Sequence, residues 1–63
     1  MPNMTADMLY EKLLEIKRKD SNHNFNNIDL INLNNPDAQF KQLVNDGRVI
    51  LSTDIIGSFE VIG

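Results

Sequence analysis

Asp46-Gly47 separates a stretch of helical periodicity from a stretch rich in β-branched residues. Upstream, Pro36 suits the first turn of a helix and Asn35 suits its N-cap. Apolar residues then recur at helical spacing, at Phe40, Leu43 and Val44. Because glycine adopts the left-handed conformation at little cost, these signals predict a helix over residues 36–46 that ends at Gly47.

Two β-prone runs, residues 49–51 and 59–62, follow the glycine and are separated by turn-forming residues. They predict an antiparallel hairpin joined directly to the helix before it. Two connections fit the sequence: a tight turn at residues 53–54, or a longer loop over residues 54–57. The residues alone leave both open.

The sequence predicts a flexible N-terminal tail over residues 1–4, followed by an amphipathic helix. Thr5 is the predicted N-cap and residues 6–19 the predicted helix. One face carries an apolar stripe of Leu9, Leu13 and Ile16, widened by Tyr10 and Leu14. The last turn is basic, which complements the negative end of the helix dipole.

Residues 20–34 predict a polar loop, a short extended piece and a second helix. Phe25 stands alone among polar residues, so we expect it to anchor the extended piece in the core. Asn26 or Asn27 can cap a helix that runs from residue 28 to about residue 33. Ile28 and Ile31 are predicted to face inward, with Leu30 a further candidate.

Taken together, the elements predict one α+β domain over residues 5–63, in which three helices precede a two-stranded hairpin. The predicted core consists of Leu9, Leu13, Ile16, Phe25, Ile28, Ile31, Phe40, Leu43, Val44, Val49, Leu51, Phe59 and Val61.

This order of elements over residues 5–62 resembles the winged helix-turn-helix superfamily, with the hairpin as the wing. A local likeness lies in Leu43-Val44-Asn45-Asp46-Gly47-Arg48-Val49. It is similar to the Asp-Gly-Arg-aromatic junction between third helix and wing in the N-terminal domain of the Gram-positive RNA polymerase delta subunit. Phe59 would occupy the place of that family's tryptophan. The resemblance implies a small winged helix that acts in transcription, with DNA or RNA polymerase as its partner.

Length and composition narrow the function classes. The chain has 63 residues and no cysteine, and its formal net charge is −3. It is long enough for one small domain, and it offers no disulfide or thiolate metal site. No apolar run approaches the ~20 residues of a membrane span. We therefore expect a soluble, cytoplasmic protein that does not associate with membranes.

A DNA-binding winged helix would insert its third helix into the major groove. Its outward residues would then be Gln39, Lys41, Gln42 and Asn45, with Arg48 on the phosphate backbone. Asp37 and Asp46 lie on the same helix and would repel phosphates. The most basic stretch is elsewhere, at Lys17, Arg18 and Lys19, which form an alternative basic patch.

The alternative function is protein–protein interaction, including homodimer formation, through the wing tip and acidic surfaces. Ile55 and Ile56 are adjacent in the predicted tip. Side chains alternate across a strand, so both cannot point into the core. An exposed apolar tip is typical of a partner surface, although a hairpin that covers the edge of a small core would also explain the pair.

Catalysis is not expected. His23, the single histidine, lies in a polar loop, and a loop histidine beside Asp20 does not make a tetrahedral metal site. No serine lies in a nucleophile-elbow context, and the glycines are too dispersed for a phosphate loop. A chain this short also lacks the material for a concave substrate pocket. We predict neither enzyme activity nor a cofactor, metal or small-molecule substrate.

Overall fold

The computed structural model describes residues 4–34 and 36–63. Its elements follow in the order α1 (Ala6–Lys19), α2 (Asn27–Asn32), α3 (Asp37–Asn45), β1 (Val49–Leu51) and β2 (Phe59–Val61). The predicted α+β class is therefore confirmed: three helices precede a two-stranded antiparallel hairpin. This layout is compatible with a winged helix.

The first helix has the predicted bounds and the predicted cap. Thr5 has extended backbone geometry, and its hydroxyl accepts a hydrogen bond from the Met8 amide at 3.1 Å. Leu9 and Leu13 from the apolar stripe are fully buried. Of the predicted tail, Met4 packs against the core and residues 1–3 lie outside the described residues.

The second helix begins at Asn27 with its cap at Asn26, one of the two predicted caps. The Asn26 side chain accepts from the Ile28 amide at 2.9 Å, while Asp29 Oδ2 accepts from the Asn26 amide at 3.0 Å. This reciprocal capping box satisfies backbone donors that the first helical turn leaves unpaired.

The predicted orientation of this helix is wrong. Ile28 and Ile31 are 64% and 58% exposed, whereas Leu30 is buried. Asn26 is fixed at the start of the helix by a bridge to Ser58, and this anchor sets the helix rotation. Residues 28 and 31 share one face and residue 30 lies on another, so the rotation that buries Leu30 exposes both isoleucines.

The third helix spans Asp37–Asn45, within the predicted 36–46, and buries Leu43 completely. The predicted cap residue, Asn35, lies outside the described residues. Gly47 follows with φ +77° and ends the helix in the left-handed conformation, as the sequence predicts.

The hairpin connection is the longer of the two predicted loops. β1 and β2 are antiparallel, with Val49 opposite Val61 and Leu51 opposite Phe59. The Ser52 amide donates to the Ser58 carbonyl at 3.0 Å, and Gly57 turns the chain with φ +90°. The loop therefore occupies the residues between Ser52 and Ser58.

The other edge of β2 meets the extended piece before α2. The Phe59 amide donates to the Phe25 carbonyl at 3.2 Å, and Asn26 bridges Ser58. Phe25 is buried there, as predicted. This short pairing anchors the start of α2 to the hairpin.

The core lies between α1, α3 and the inner face of the hairpin. Its buried members are Leu9, Leu13, Phe25, Leu30, Leu43, Val49, Phe59 and Val61. Ile16, Phe40 and Val44 are partly buried around it. The prediction that Leu51 lies in the core is wrong: Leu51 ends β1 and is 52% exposed, whereas Val49 at the start of the strand is buried. None of the helices in the described ranges could cross a bilayer.

Candidate interaction surfaces

The outward face of α3 presents three of its four predicted DNA-contacting residues to solvent. Lys41, Gln42 and Asn45 are exposed. Gln39 is half-buried, and its side-chain amide donates a hydrogen bond to the Met4 carbonyl. This bond turns Gln39 toward the beginning of α1, away from the positions expected at a groove.

Arg48, the predicted phosphate contact, is directed at α1. Its Nη1 lies 3.0 Å from Asp7 Oδ1, and its guanidinium carbon lies 4.9 Å from the centre of the Tyr10 ring. An exposed ion pair of this kind contributes about 0–1 kcal/mol to stability. The carboxylate of Asp7 nevertheless offsets the positive charge that a phosphate would meet.

The alternative basic patch is divided by the fold. Lys17 Nζ donates to the Val61 carbonyl at 2.7 Å and helps attach β2 to α1. Lys19 lies 3.5 Å from Glu15 across one helical turn. In residues 4–34 and 36–63, only Arg18 of the three makes neither a hydrogen bond nor an ion pair through its side chain.

Four exposed isoleucines lie on α2 and on the loop between β1 and β2. Ile56 is 101% exposed and Ile55 is 63% exposed, so both tip residues face solvent. The two elements are in contact, because a Cβ placed on Gly57 would lie 2.8 Å from the side-chain nitrogen of Asn27. Ile56 precedes Gly57 in the chain, and Ile28 follows Asn27. Ile31 lies about one helical turn after Ile28 on α2. We call these four residues the isoleucine surface: Ile28, Ile31, Ile55 and Ile56.

The α2 half of the isoleucine surface was missed by sequence reasoning. Asn26 followed by Asp29 is a capping-box pattern, and it would have placed the helix start at Asn27. That start alone does not say which face packs inward. The bridge between Asn26 and Ser58 decides this, and it joins residues far apart in sequence.

His23 contributes to the α2 cap. Its Nε2 lies 3.0 Å from Asp29 Oδ1, and its ring stands edge-on to Phe25 with the centroids 4.8 Å apart. No group of three or more potential metal-ligating residues occurs among the described residues. The contacts of His23 within the described chain are thus accounted for by packing and capping.

A shallow groove lies between the hairpin and the segment that leads from α1 to α2. We call it the hairpin groove. Its walls include Phe25, Ile50, Leu51, Ile55 and Phe59, and its rim includes Lys17, His23, Asp54 and Glu60. Ile50, Leu51 and Ile55 are each more than half exposed, so the groove presents apolar side chains to solvent.

No family model matches this chain, and neither the curated proteins nor the solved structures give a significant match.

Proposed function

We propose that this protein is a non-catalytic interaction module that binds another protein through the wing. The observation that carries the proposal is the exposure of the isoleucine surface. Single exposed apolar residues are normal on proteins, but exposed apolar groups gathered on neighbouring elements favour a partner site. The winged-helix resemblance makes a component of the transcription machinery, including RNA polymerase, a candidate partner.

The charges favour this proposal over direct DNA binding. Nucleic-acid affinity depends mainly on basic groups that neutralise phosphates. The cations Lys17, Lys19 and Arg48 already contact acceptors within the fold. The positive charge of the exposed Lys41 on α3 is outnumbered by two exposed carboxylates, Asp37 on the same helix and Asp46 at its C-cap.

Replacing both tip residues, Ile55→Ser with Ile56→Ser, should abolish partner capture and leave the fold intact. Exposed substitutions usually change stability by within about 0.5 kcal/mol, because little packing is lost. The measurement is affinity capture from the native host with mass spectrometry, followed by binding of the identified protein in purified form.

Met8→Ser is the matched control, since it removes a half-exposed apolar side chain from α1. It should capture the same proteins as the unmodified chain. Equal recovery of every protein by the tip variant would contradict the proposal.

DNA binding through α3 is the second candidate function, favoured by the exposure of Lys41, Gln42 and Asn45. Titration against random duplex DNA at low salt should then show binding that weakens as salt increases. Lys41→Gln should weaken it further, whereas Lys12→Gln on α1 should not. No detectable binding at tens of millimolar salt would remove this candidate.

A further inference from the structure

The exposed face of α2 is uncharged. Its members recur at spacings of three and four residues, so they share one side of the helix: Asn27, Ile28, Ile31 and Asn32. Residues 21–36 contain a single charged residue, Asp29, although 24% of the whole chain is charged. Asp29 is half-buried, and its carboxylate is already bound to the Asn26 amide and to His23, at 3.0 Å each.

The loop between β1 and β2 continues this face. We call residues 53–57 the hairpin loop. Ile56 is completely exposed, and Gly57 lies against the side chain of Asn27. Asp54 is the one charged residue of the loop, and its carboxylate forms no ion pair within residues 4–34 and 36–63. The isoleucine surface is therefore bordered by side-chain amides and a single exposed carboxylate.

These side chains make the isoleucine surface complementary to itself. The centres of protein interfaces are depleted of charged residues, and homodimer interfaces are the more apolar ones. In a two-fold dimer the same patch meets itself, so isoleucines would face isoleucines. An asparagine amide both donates and accepts, so Asn27 and Asn32 can pair with asparagines of a second copy. A strongly charged partner would find only Asp54 to pair with.

We infer that the isoleucine surface is a homodimer interface, in which α2 and the hairpin loop of one chain pack against the same elements of a second copy. This inference rests on the proposed function and names its partner. The contact is small: α2 has six residues and the hairpin loop has five, whereas a standard interface takes about 20–30 residues a side. The dimer is therefore weak, with a Kd on the order of 100 μM.

Sedimentation velocity of the full chain, from about 10 μM to about 1 mM, tests the inference. The mean sedimentation coefficient should rise with concentration. Raising NaCl from about 20 mM to about 300 mM should tighten association by about twofold to threefold, because salt screens the repulsion between copies that each carry net charge −3. A partner of opposite charge would instead bind more weakly at high salt.

Two asparagine variants locate the interface. Asn32 and Asn45 are both exposed, and each is the last residue of its helix. Asn32→Asp should weaken dimerisation about tenfold, because two-fold symmetry places the new carboxylates of both copies in one interface. Asn45→Asp makes the same change of net charge on α3 and should weaken it less than about twofold.

A second pair of variants tests the apolar contact. Ile28→Ser with Ile56→Ser should abolish self-association up to about 1 mM and leave the circular dichroism spectrum unchanged, because both side chains are exposed. Met8→Ser with Ile50→Ser removes two exposed apolar side chains from α1 and β1 and should leave dimerisation intact. Amide NMR shifts that change with concentration should be largest in residues 27–32 and 55–57.

The contrary outcomes separate failure of this inference from failure of the proposed function. Equal weakening by the two asparagine variants would refute the location of the interface. A chain that stays monomeric at about 1 mM at both salt concentrations would refute the dimer. If that monomer still captures a different protein from the host, and Ile55→Ser with Ile56→Ser abolishes the capture, the interaction module stands with another partner. Absence of both self-association and such capture would remove the proposed function as well.

Discussion

Leu43→Ala should remove a large part of the domain's stability. Leu43 is fully buried, and it lies on α3 where that helix packs against both α1 and β1. Truncating a buried leucine costs about 2–5 kcal/mol, since apolar burial is lost and a cavity remains. A domain of this length has a total stability of roughly 3–9 kcal/mol. Urea denaturation followed by far-ultraviolet circular dichroism measures the loss.

Leu51→Ala is the matched control for this prediction. It removes the same atoms from a leucine that is half exposed at the end of β1. We expect it to cost about 1 kcal/mol, because about half of that side chain stays in water on folding. Equal destabilisation by the two variants would show that the core does not centre on Leu43.

The sequence predicts those elements whose local signals agree with one another. The bounds of α1 follow from the Thr5 cap and the apolar stripe, and both are confirmed. The end of α3 follows from Gly47, whose positive φ few other residues tolerate. In each case the determining interactions lie within a few residues of the element, so a local pattern contains them.

The orientation of α2 shows where local patterns fail. The helix has six residues, and apolar side chains occupy both its Leu30 face and its Ile28 and Ile31 face. Periodicity cannot choose between two faces over fewer than two turns. The choice depends on the bridge between Asn26 and Ser58, which requires the hairpin to be in place. The sequence therefore predicts the half of the isoleucine surface on the hairpin loop, Ile55 and Ile56, but not the half on α2, Ile28 and Ile31.

The candidate nucleic-acid residues show a similar limit. Exposure of Lys41, Gln42 and Asn45 follows from helix geometry alone. The contacts of Gln39, Lys17 and Arg48 connect residues 35, 44 and 41 positions apart, respectively. From the sequence, long basic and amide side chains are expected to lie on the surface. Here they bind groups on distant elements: Gln39 and Lys17 donate to backbone carbonyls, and Arg48 pairs with a carboxylate.

Phe59 connects the hairpin to α3 through Phe40 and to the extended piece before α2 through Phe25. Its ring centroid lies 5.5 Å from that of Phe25 and 4.9 Å from that of Phe40. The Phe40 pair is nearly edge-on, with an interplanar angle of 65°. Such pairs contribute about 0.5–1.5 kcal/mol beyond area burial.

Phe59→Ala should therefore destabilise the domain by about 3–5 kcal/mol, a loss comparable to its whole stability. Phe59→Leu keeps most of the volume and loses the ring contacts, so we expect about 1–2 kcal/mol. Thermal unfolding by circular dichroism ranks the variants, and Phe40→Ala should fall between them because Phe40 is only partly buried. If Phe59→Ala unfolds no more readily than Phe59→Leu, the ring of Phe59 contributes little to the core. The hairpin must then be attached mainly through Lys17 and Tyr10, which donate to the Val61 and Ile62 carbonyls.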